Sequence, residues 1–340
     1  MRASHEDAHA GDAAVPEMYV VESVTEDDLE DLATLRLAQA WLANRFLLNA
    51  LLEWEQARIV VVREAEGEDE SAGVIATTVA TACGEVGIIG NVIVRADRQR
   101  RGLGRLVMER TVAWLNERGV RSVLLDATVD GRPLYRSLGF VQRAISWFAD
   151  ASIGELRQTT LRERAGDLRA SLRPASDLAR LAALDAAAFG GDRMGLLARM
   201  VLQPGTGLYV ADDGDGQPLG YALARPIEGA SVGVQIGPWV ARDERAATAL
   251  LRAAIDADAP WRAMTGDAVD GDITLHVGLS GMHPGAMDLC DVLGMRRVED
   301  DMLMQLDLDA YGKEPKPVEA LRRTAAHPEW VYGWLAPMVF

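Results

Sequence analysis

Gln99-Arg100-Arg101-Gly102-Leu103-Gly104 stands between two contrasting segments. Before it comes the apolar run Ile88-Ile89-Gly90-Asn91-Val92-Ile93-Val94, which reads as a buried strand. After it, Leu103, Leu106, Val107, Thr111, Trp114 and Leu115 recur at helical spacing, and Gly119 stands where that helix stops. Glycines carry no Cβ, so Gly102 and Gly104 let the backbone approach a ligand closely. The first N–H groups of a helix have no intrahelical partner. A strand, a glycine turn and an open helix N-terminus together make a cradle for a pyrophosphate. Arg98, Arg100, Arg101 and Arg105 add positive charge to that turn.

Outward from the cradle, strands and helices alternate. Strands are predicted over 19–24, 59–63, 73–82, 86–95, 122–127 and 140–148, with helices over 26–53, 103–118 and 133–138. The order then repeats, with helices over 177–189, 244–256 and 284–293 and strands over 207–212, 218–226, 232–241, 273–278 and 301–308. Leu134-Tyr135-Arg136-Ser137-Leu138-Gly139-Phe140 resembles Leu289-Cys290-Asp291-Val292-Leu293-Gly294-Met295; each closes a short helix with Leu-Gly and enters a strand. The expectation is an α/β chain of two tandem units, each a mixed twisted sheet flanked by helices. Residues 1–17 read as a flexible arm, and their His5 and His9 do not make a metal tract. Residues 18–149 form the first unit, polar residues 150–170 a linker, and 171–340 the second unit. Its aromatic tail (Trp330, Tyr332, Trp334, Phe340) suggests docking. The cradle does not repeat: Arg242-Asp243-Glu244-Arg245-Ala246 has no glycine, and its two carboxylates would repel a pyrophosphate.

The chain has 340 residues, 49% hydrophobic and 25% charged, enough for two packed interiors. Its 35 basic and 51 acidic residues give a formal net charge of −16. That balance argues against nucleic acid and anionic membranes as partners and favours a cationic small substrate. Two distant cysteines, Cys83 and Cys290, give neither a disulfide framework nor metal-ligand spacing. With no signal peptide and no run near the roughly 18 apolar residues of a membrane span, a cytoplasmic protein is expected.

Asn91 to Phe140 resembles the core of the GNAT superfamily of acyl-CoA-dependent N-acyltransferases, through Gln99-x-x-Gly102-x-Gly104 and Leu134-Tyr135-x-x-x-Gly139-Phe140. Ile89-Gly90, Asp126-Ala127-Thr128, Gly131-Arg132-Pro133-Leu134-Tyr135 and, later, Phe189-Gly190 and Asp192-Arg193 resemble bacterial tandem proteins with a divergent second GNAT-like domain. The resemblance implies acetyl-CoA as cosubstrate and no metal. Val92, Ile93 and Val94 would bond the pantetheine arm, while Gln99, Arg100, Arg101, Gly102, Leu103, Gly104 and Arg105 would hold the phosphates. Thr128, where many members carry Asn, and Arg132 would lie beside the donor.

Tyr135 is the candidate general acid, since a phenol near the thioester sulfur can protonate the leaving thiolate. For the base, the strand core offers no acid; Glu85 lies upstream, and Asn91 is the polar residue that would face the acceptor. Trp41, Asn44 and Arg45 would line the acceptor site, with Asp185, Asp192, Trp239, His276 and His283 of the second unit closing over it. The expected reaction is acetyl transfer to a small, cationic amine, with the second unit shaping the acceptor site or a homodimer interface. Two rivals share the cradle: a non-catalytic acyl-CoA-binding regulatory module, and a GNAT-fold enzyme using another acyl-CoA or another reaction.

Overall fold

The structure is a computed structural model that describes residues 18–41, 43, 45–65, 73–227, 233–256, 258–266, 268–311, 325 and 327–333. Runs of Val, Ile, Thr and Ala form the strands of the first unit, because β-branched side chains pack well on a pleated surface. Its elements are β1 (Tyr19–Ser23), α1 (Leu29–Leu37), α2 (Arg45–Leu52), β2 (Ala57–Glu64), β3 (Ala76–Cys83), β4 (Val86–Val94), α3 (Leu103–Glu117), β5 (Ser122–Ala127), α4 (Arg132–Ser137) and β6 (Val141–Ser152). Two short helices follow, α5 (Ile153–Leu156) and α6 (Leu161–Ala165). The second unit has β7 (Ala170–Arg173), α7 (Leu178–Phe189), α8 (Met194–Met200), β8 (Gly207–Asp212), β9 (Pro218–Pro226), β10 (Gly233–Ala241), α9 (Glu244–Ala254), β11 (Thr274–Ser280), α10 (Pro284–Val292), β12 (Arg296–Asp307) and β13 (Val331–Gly333).

The two mixed sheets are fused into one of 13 strands, in the order β1-β2-β3-β4-β5-β12-β6-β11-β13-β10-β9-β8-β7. The fusion is a reciprocal exchange. β12, from the second unit, lies between β5 and β6 of the first, pairing Leu303 with Asp126 on one side and with Ala144 on the other. β6 in turn pairs with β11, setting His276 opposite Asp150.

Side-chain packing follows the exchange. One core joins Leu47, Leu48 and Leu51 of α2 to Leu184, Phe189, Leu196 and Leu197 of α7 and α8, with Leu303 among them. Arg199 of α8 lies over the Trp54 ring at 4.6 Å and donates to the Ala50 carbonyl at 3.2 Å, tying the units together. A second core lies under α3 and α4, where Tyr135 and Phe140 meet Met302, Met304 and Leu306 of β12.

Three stretches differ from the sequence expectation. The helix predicted over 26–53 is split into α1 and α2, with Ala40 at φ 60° between them, and Gln39 and Trp41 beside this break line a cleft. Residues 150–170, read as a polar linker, complete β6, form α5 and α6 and open β7, with Ile153, Leu156 and Leu161 in the second unit's core and Ala165 also buried. α8 was hidden by its shortness, although Leu196, Leu197 and Met200 mark its buried face. The tail's Trp330 docks as expected, stacked on His327 at 3.9 Å and covered by Arg242 at 5.4 Å. Residues 1–17 and 334–340 lie outside the described residues. Among the described residues, no helix is long and apolar enough to cross a membrane. Cys83 and Cys290 are buried, and burial pushes both thiols up to about 12.

His283, which the sequence offered as a lid over the acceptor, instead caps α10, its Nδ1 accepting the Ala286 N–H at 3.0 Å. Burial holds its imidazole below the ordinary value of 6.5, partly opposed by the charges of Asp288 and Glu329. The folded chain thus favours the neutral ring, whereas the unfolded chain takes up a proton first as the pH falls. The cap's contribution, about 1 kcal/mol, is fully present above pH ~6.5 and is lost as the pH falls through the lower folded value. Melting temperatures between pH 8 and 5 check this. His283→Asn, a capping residue that does not titrate, should flatten the drop, and an unchanged drop would remove His283 as its cause.

Candidate active site

The cleft begins where two strands part. β4 and β5 run parallel only while Val86, Gly87 and Ile88 face Ser122, Val123 and Leu124; beyond Ile88 the ladder ends. At the same level β4 bulges: between the pairs Thr77–Ile93 and Val79–Gly90, Asn91 and Val92 oppose the single residue Thr78. Asn91 takes φ 53°, a left-handed conformation that Asn tolerates better than β-branched residues do. It is 4% exposed, and its amide oxygen has no hydrogen-bond partner among the described residues.

The turn after β4 closes one end of the cleft. Gln99 donates to the Val94 carbonyl at 3.2 Å, and Gly102 starts α3 at φ 84°, where a Cβ would be strained. No side chain caps α3, and its first turn holds no acid, so its leading N–H groups face the cleft with the positive end of the helix dipole. A Cβ on Gly104 would sit 3.1 Å from Leu134 Cδ2, so the helix start lies tight against α4. Of the arginines, Arg100 and Arg105 line the cleft. Arg105 donates to Ser137 at 2.7 Å and to Glu109 at 3.2 Å. Arg98 is engaged with Glu64 at 2.6 Å and with Asp97, while Arg101 is exposed and off the cleft wall.

The cleft has a volume of about 860 Å³. Its walls include Trp41, Asn91, Val92, Ile93, Val94, Gln99, Arg100, Gly102, Leu103, Gly104, Arg105, Thr128 and Tyr135, all singled out from the sequence. Tyr135 is 7% exposed, its ring packed edge-on against Phe140 at 5.9 Å. Gly131 makes room for it, since a Cβ there would lie 2.7 Å from the ring. Burial, and then the negative charge of Asp301, push the phenol well above its ordinary value, so it stays protonated. Thr128 accepts the Gly131 N–H through its carbonyl at 3.1 Å and shapes the turn into α4. Arg132 is turned back to the Ala127 carbonyl at 3.4 Å and does not line the cleft.

Other expected site residues lie elsewhere. Glu85 is exposed in the β3–β4 turn, at the end of β4 opposite the cleft, so it cannot act as base there without a large rearrangement. Arg45 pairs with Glu30 at 2.9 Å, and Asn44 lies outside the described residues. Asp185 is buried in the second unit, gripped by Arg193 at 2.7 Å and by the Tyr221 hydroxyl. Asp192 caps the Met194 N–H at 3.0 Å, and Trp239 is buried with its Nε1 donating to the Ala247 carbonyl at 3.2 Å. His276 pairs with Asp150 at 2.6 Å. None of these four lines the cleft, because the second unit extends the sheet sideways and does not fold over the site.

Four polar residues that sequence reading did not assign also line it: Gln39, Asp126, Asp130 and Asp301. Asp126 stood in a quoted motif, on the strand that parts from β4, and that position was its signal. Asp301 had none, because the exchange of β12 brings it there from the second unit.

Among the described residues, the corresponding strands of the second unit do not part in the same way. β10 and β11 pair over Gly233–Ile236 and Thr274–Val277, and then β13 enters the gap, Gly333 facing both Trp239 and Leu279. Asp243 caps α9 by accepting the Ala246 N–H at 2.8 Å. Chain atoms fill both places that stand open in the first unit.

A model described as the acetyltransferase (GNAT) family matches residues 25–140, and one described as an acetyltransferase (GNAT) domain matches residues 181–314. The chain is 30% identical over 182 residues to the uncharacterized N-acetyltransferase YitH of Bacillus subtilis, covering 53% of this chain and 60% of that protein. Over 62 residues it is 39% identical to a rice protein (Oryza sativa subsp. japonica) named probable glucosamine 6-phosphate N-acetyltransferase 2, covering 18% of this chain and 37% of that one. In both cases the match spans less than two thirds of the curated relative. A solved structure from Pyrococcus horikoshii, assigned as an acetyltransferase, superposes with TM-score 0.68 at 19% identity over 98% of this chain and 99% of that chain. A tandem GNAT protein from the clavulanic acid biosynthesis pathway gives 0.57 at 12% identity over 85% and 98%. At these identities the likeness is one of fold.

Proposed function

The chain belongs to the GNAT acetyltransferase family, and from that premise we propose that its first unit moves an acetyl group from acetyl-CoA to the amine of a small molecule. The observation that carries this reading is the parted β4/β5 pair, with the uncapped N-terminus of α3 at one end and Tyr135 on its wall. The ladder edge of Val92, Ile93 and Val94 suits an extended amide-bearing arm, which would bond it like an added strand. The N–H groups after Gly102, with Arg100 and Arg105, suit a pyrophosphate. Gly104 permits that approach because a side chain there would meet Leu134. When bound, the donor supplies a thioester whose carbonyl an amine can attack. Tyr135 then offers its proton to the departing sulfur.

The filled gap and the capped helix of the second unit support the reading that the first unit is the donor-binding half of the chain. Calorimetry with acetyl-CoA should therefore give one site per chain, and release of CoA thiol should follow when a panel of primary amines is added. Binding of two equivalents would overturn the assignment of the halves. Binding without thiol release across the panel would favour a regulatory acyl-CoA-binding module.

A further inference from the structure

We infer that Asp301, carried on β12 from the second unit into the first unit's cleft, acts with Asp126 and Asn91 to hold the ammonium group of the acceptor, and that this acceptor is a small cationic amine of the diamine or polyamine class. The inference rests on the acyl-transfer reading above.

The strand register places the two carboxylates together. Leu303 of β12 faces Asp126 of β5, and Asp301, two residues earlier on β12, projects from the same sheet face. Ser146 of β6 is the ladder partner of Asp301, and its hydroxyl donates to Asp126 Oδ1 at 2.5 Å. Asp301 is 3% exposed and lines the cleft, as does Asp126. Its charge also bears on Tyr135, so it lies close to the reactive end of the site.

A pair of acids alone would not define a ligand. The independent observation is Asn91, whose buried amide oxygen has no hydrogen-bond partner among the described residues and which lines the same cleft. A buried acceptor left unmet is costly, so a donor from the ligand is the natural complement. An ammonium group carries three N–H donors, and three strands here bring one amide and two carboxylate side chains, Asn91, Asp126 and Asp301, to the wall of one cleft. Asp130 also lines the cleft, while the cations there, Arg100 and Arg105, stand at the α3 end. The site is thus positive where the phosphates of the donor would lie and negative where the acceptor would enter.

The proton balance closes on these residues. The ammonium gives one proton to the Asp301 carboxylate, and the freed lone pair attacks the thioester carbonyl. The C–N bond forms and the C–S bond breaks. Sulfur takes the Tyr135 hydroxyl proton, and the phenol is restored when the phenolate takes the second proton shed from the new amide nitrogen. The proton on Asp301 passes to solvent, giving one amide, one thiol and one proton per turnover.

The test uses the full chain, with putrescine as acceptor and glucosamine 6-phosphate as an anionic contrast. Asp301→Asn should lower kcat/KM for putrescine about a hundredfold or more, with the acetyl-CoA Kd and the melting temperature unchanged. Asp126→Asn should raise the putrescine KM about tenfold or more. The wild type should prefer putrescine to glucosamine 6-phosphate. Activity of Asp301→Asn within about threefold of wild type overturns the inference, as does an unchanged KM in Asp126→Asn. A lowered melting temperature, or weakened acetyl-CoA binding in Asp301→Asn, would give Asp301 a structural role and equally overturn it. If the wild type acetylates no amine, the transfer reading fails by itself. Calorimetric binding of putrescine to the CoA-saturated chain then decides the ammonium site, which requires binding that Asp301→Asn abolishes.

Discussion

In Tyr135→Phe, kcat is expected to fall about 10²- to 10⁴-fold while the affinity for acetyl-CoA stays as it was. The substitution removes one oxygen and leaves the ring, so the packing against Phe140 and the fit over Gly131 survive. What is lost is the one proton that the cleft wall would offer to the leaving sulfur. The phenol's pKa is raised, first by burial and then by Asp301, so Tyr135 stays protonated across the working range and should add no alkaline limb below pH ~10. Steady-state thiol release at saturating amine, beside calorimetry with acetyl-CoA, measures both quantities. Equal turnover in the variant would leave Tyr135 a packing residue.

Separating the units should be as damaging to the fold as losing Tyr135 is to turnover. A fragment of residues 1–170 is expected to be unfolded or aggregated, although it contains the whole of the cleft's donor side. Without β12, both β5 and β6 lose the strand that lies between them. The packing of Leu303, Met304 and Leu306 goes with it, and each such residue is worth about 2–5 kcal/mol when deleted from a core. Their sum, about 6–15 kcal/mol, is of the same size as the roughly 5–15 kcal/mol that holds a typical domain folded. The shared packing of α2 with α7 and α8 is lost at the same cut. The intact chain should accordingly melt in one cooperative transition, with circular dichroism and tryptophan fluorescence coinciding. A folded 1–170 fragment that binds acetyl-CoA would show that the exchange is not needed for stability.

The acceptor side shows how far sequence reading reached. Asn91 was marked as a polar residue in an apolar strand, and it stands at the bulge and lines the cleft, its buried amide oxygen without a partner among the described residues. Glu85 was the nearest upstream acid, but Asn91 lies six positions further along extended chain, a span of about 20 Å. Asp185 and His276 carried polar chemistry within apolar surroundings, and each proved to have a local partner, Arg193 and Asp150. Residues 150–170 looked like a linker because their charges are frequent, yet Ile153, Leu156 and Leu161 are enough to seat two short helices.

By itself, the sequence determined the residues that wall the cleft from β4 through the α3 turn to Tyr135. Strand periodicity, glycines at a strand-to-helix turn and a Pro-Leu-Tyr helix start are local signals, written within some fifty residues and governed by backbone sterics and helix-end hydrogen bonding. Even the absence of a second cradle was local, since Asp243 can be read as its own helix cap. Tertiary structure alone decided that β12 crosses into the first unit, that β13 fills the second unit's gap, and that Asp301 reaches the cleft. Strand pairing is made by backbone groups common to all residues, so the residues of β12 do not name their neighbours. In a chain of two similar units, either half offers that strand a place. Which half receives it is settled by packing across residues far apart in sequence.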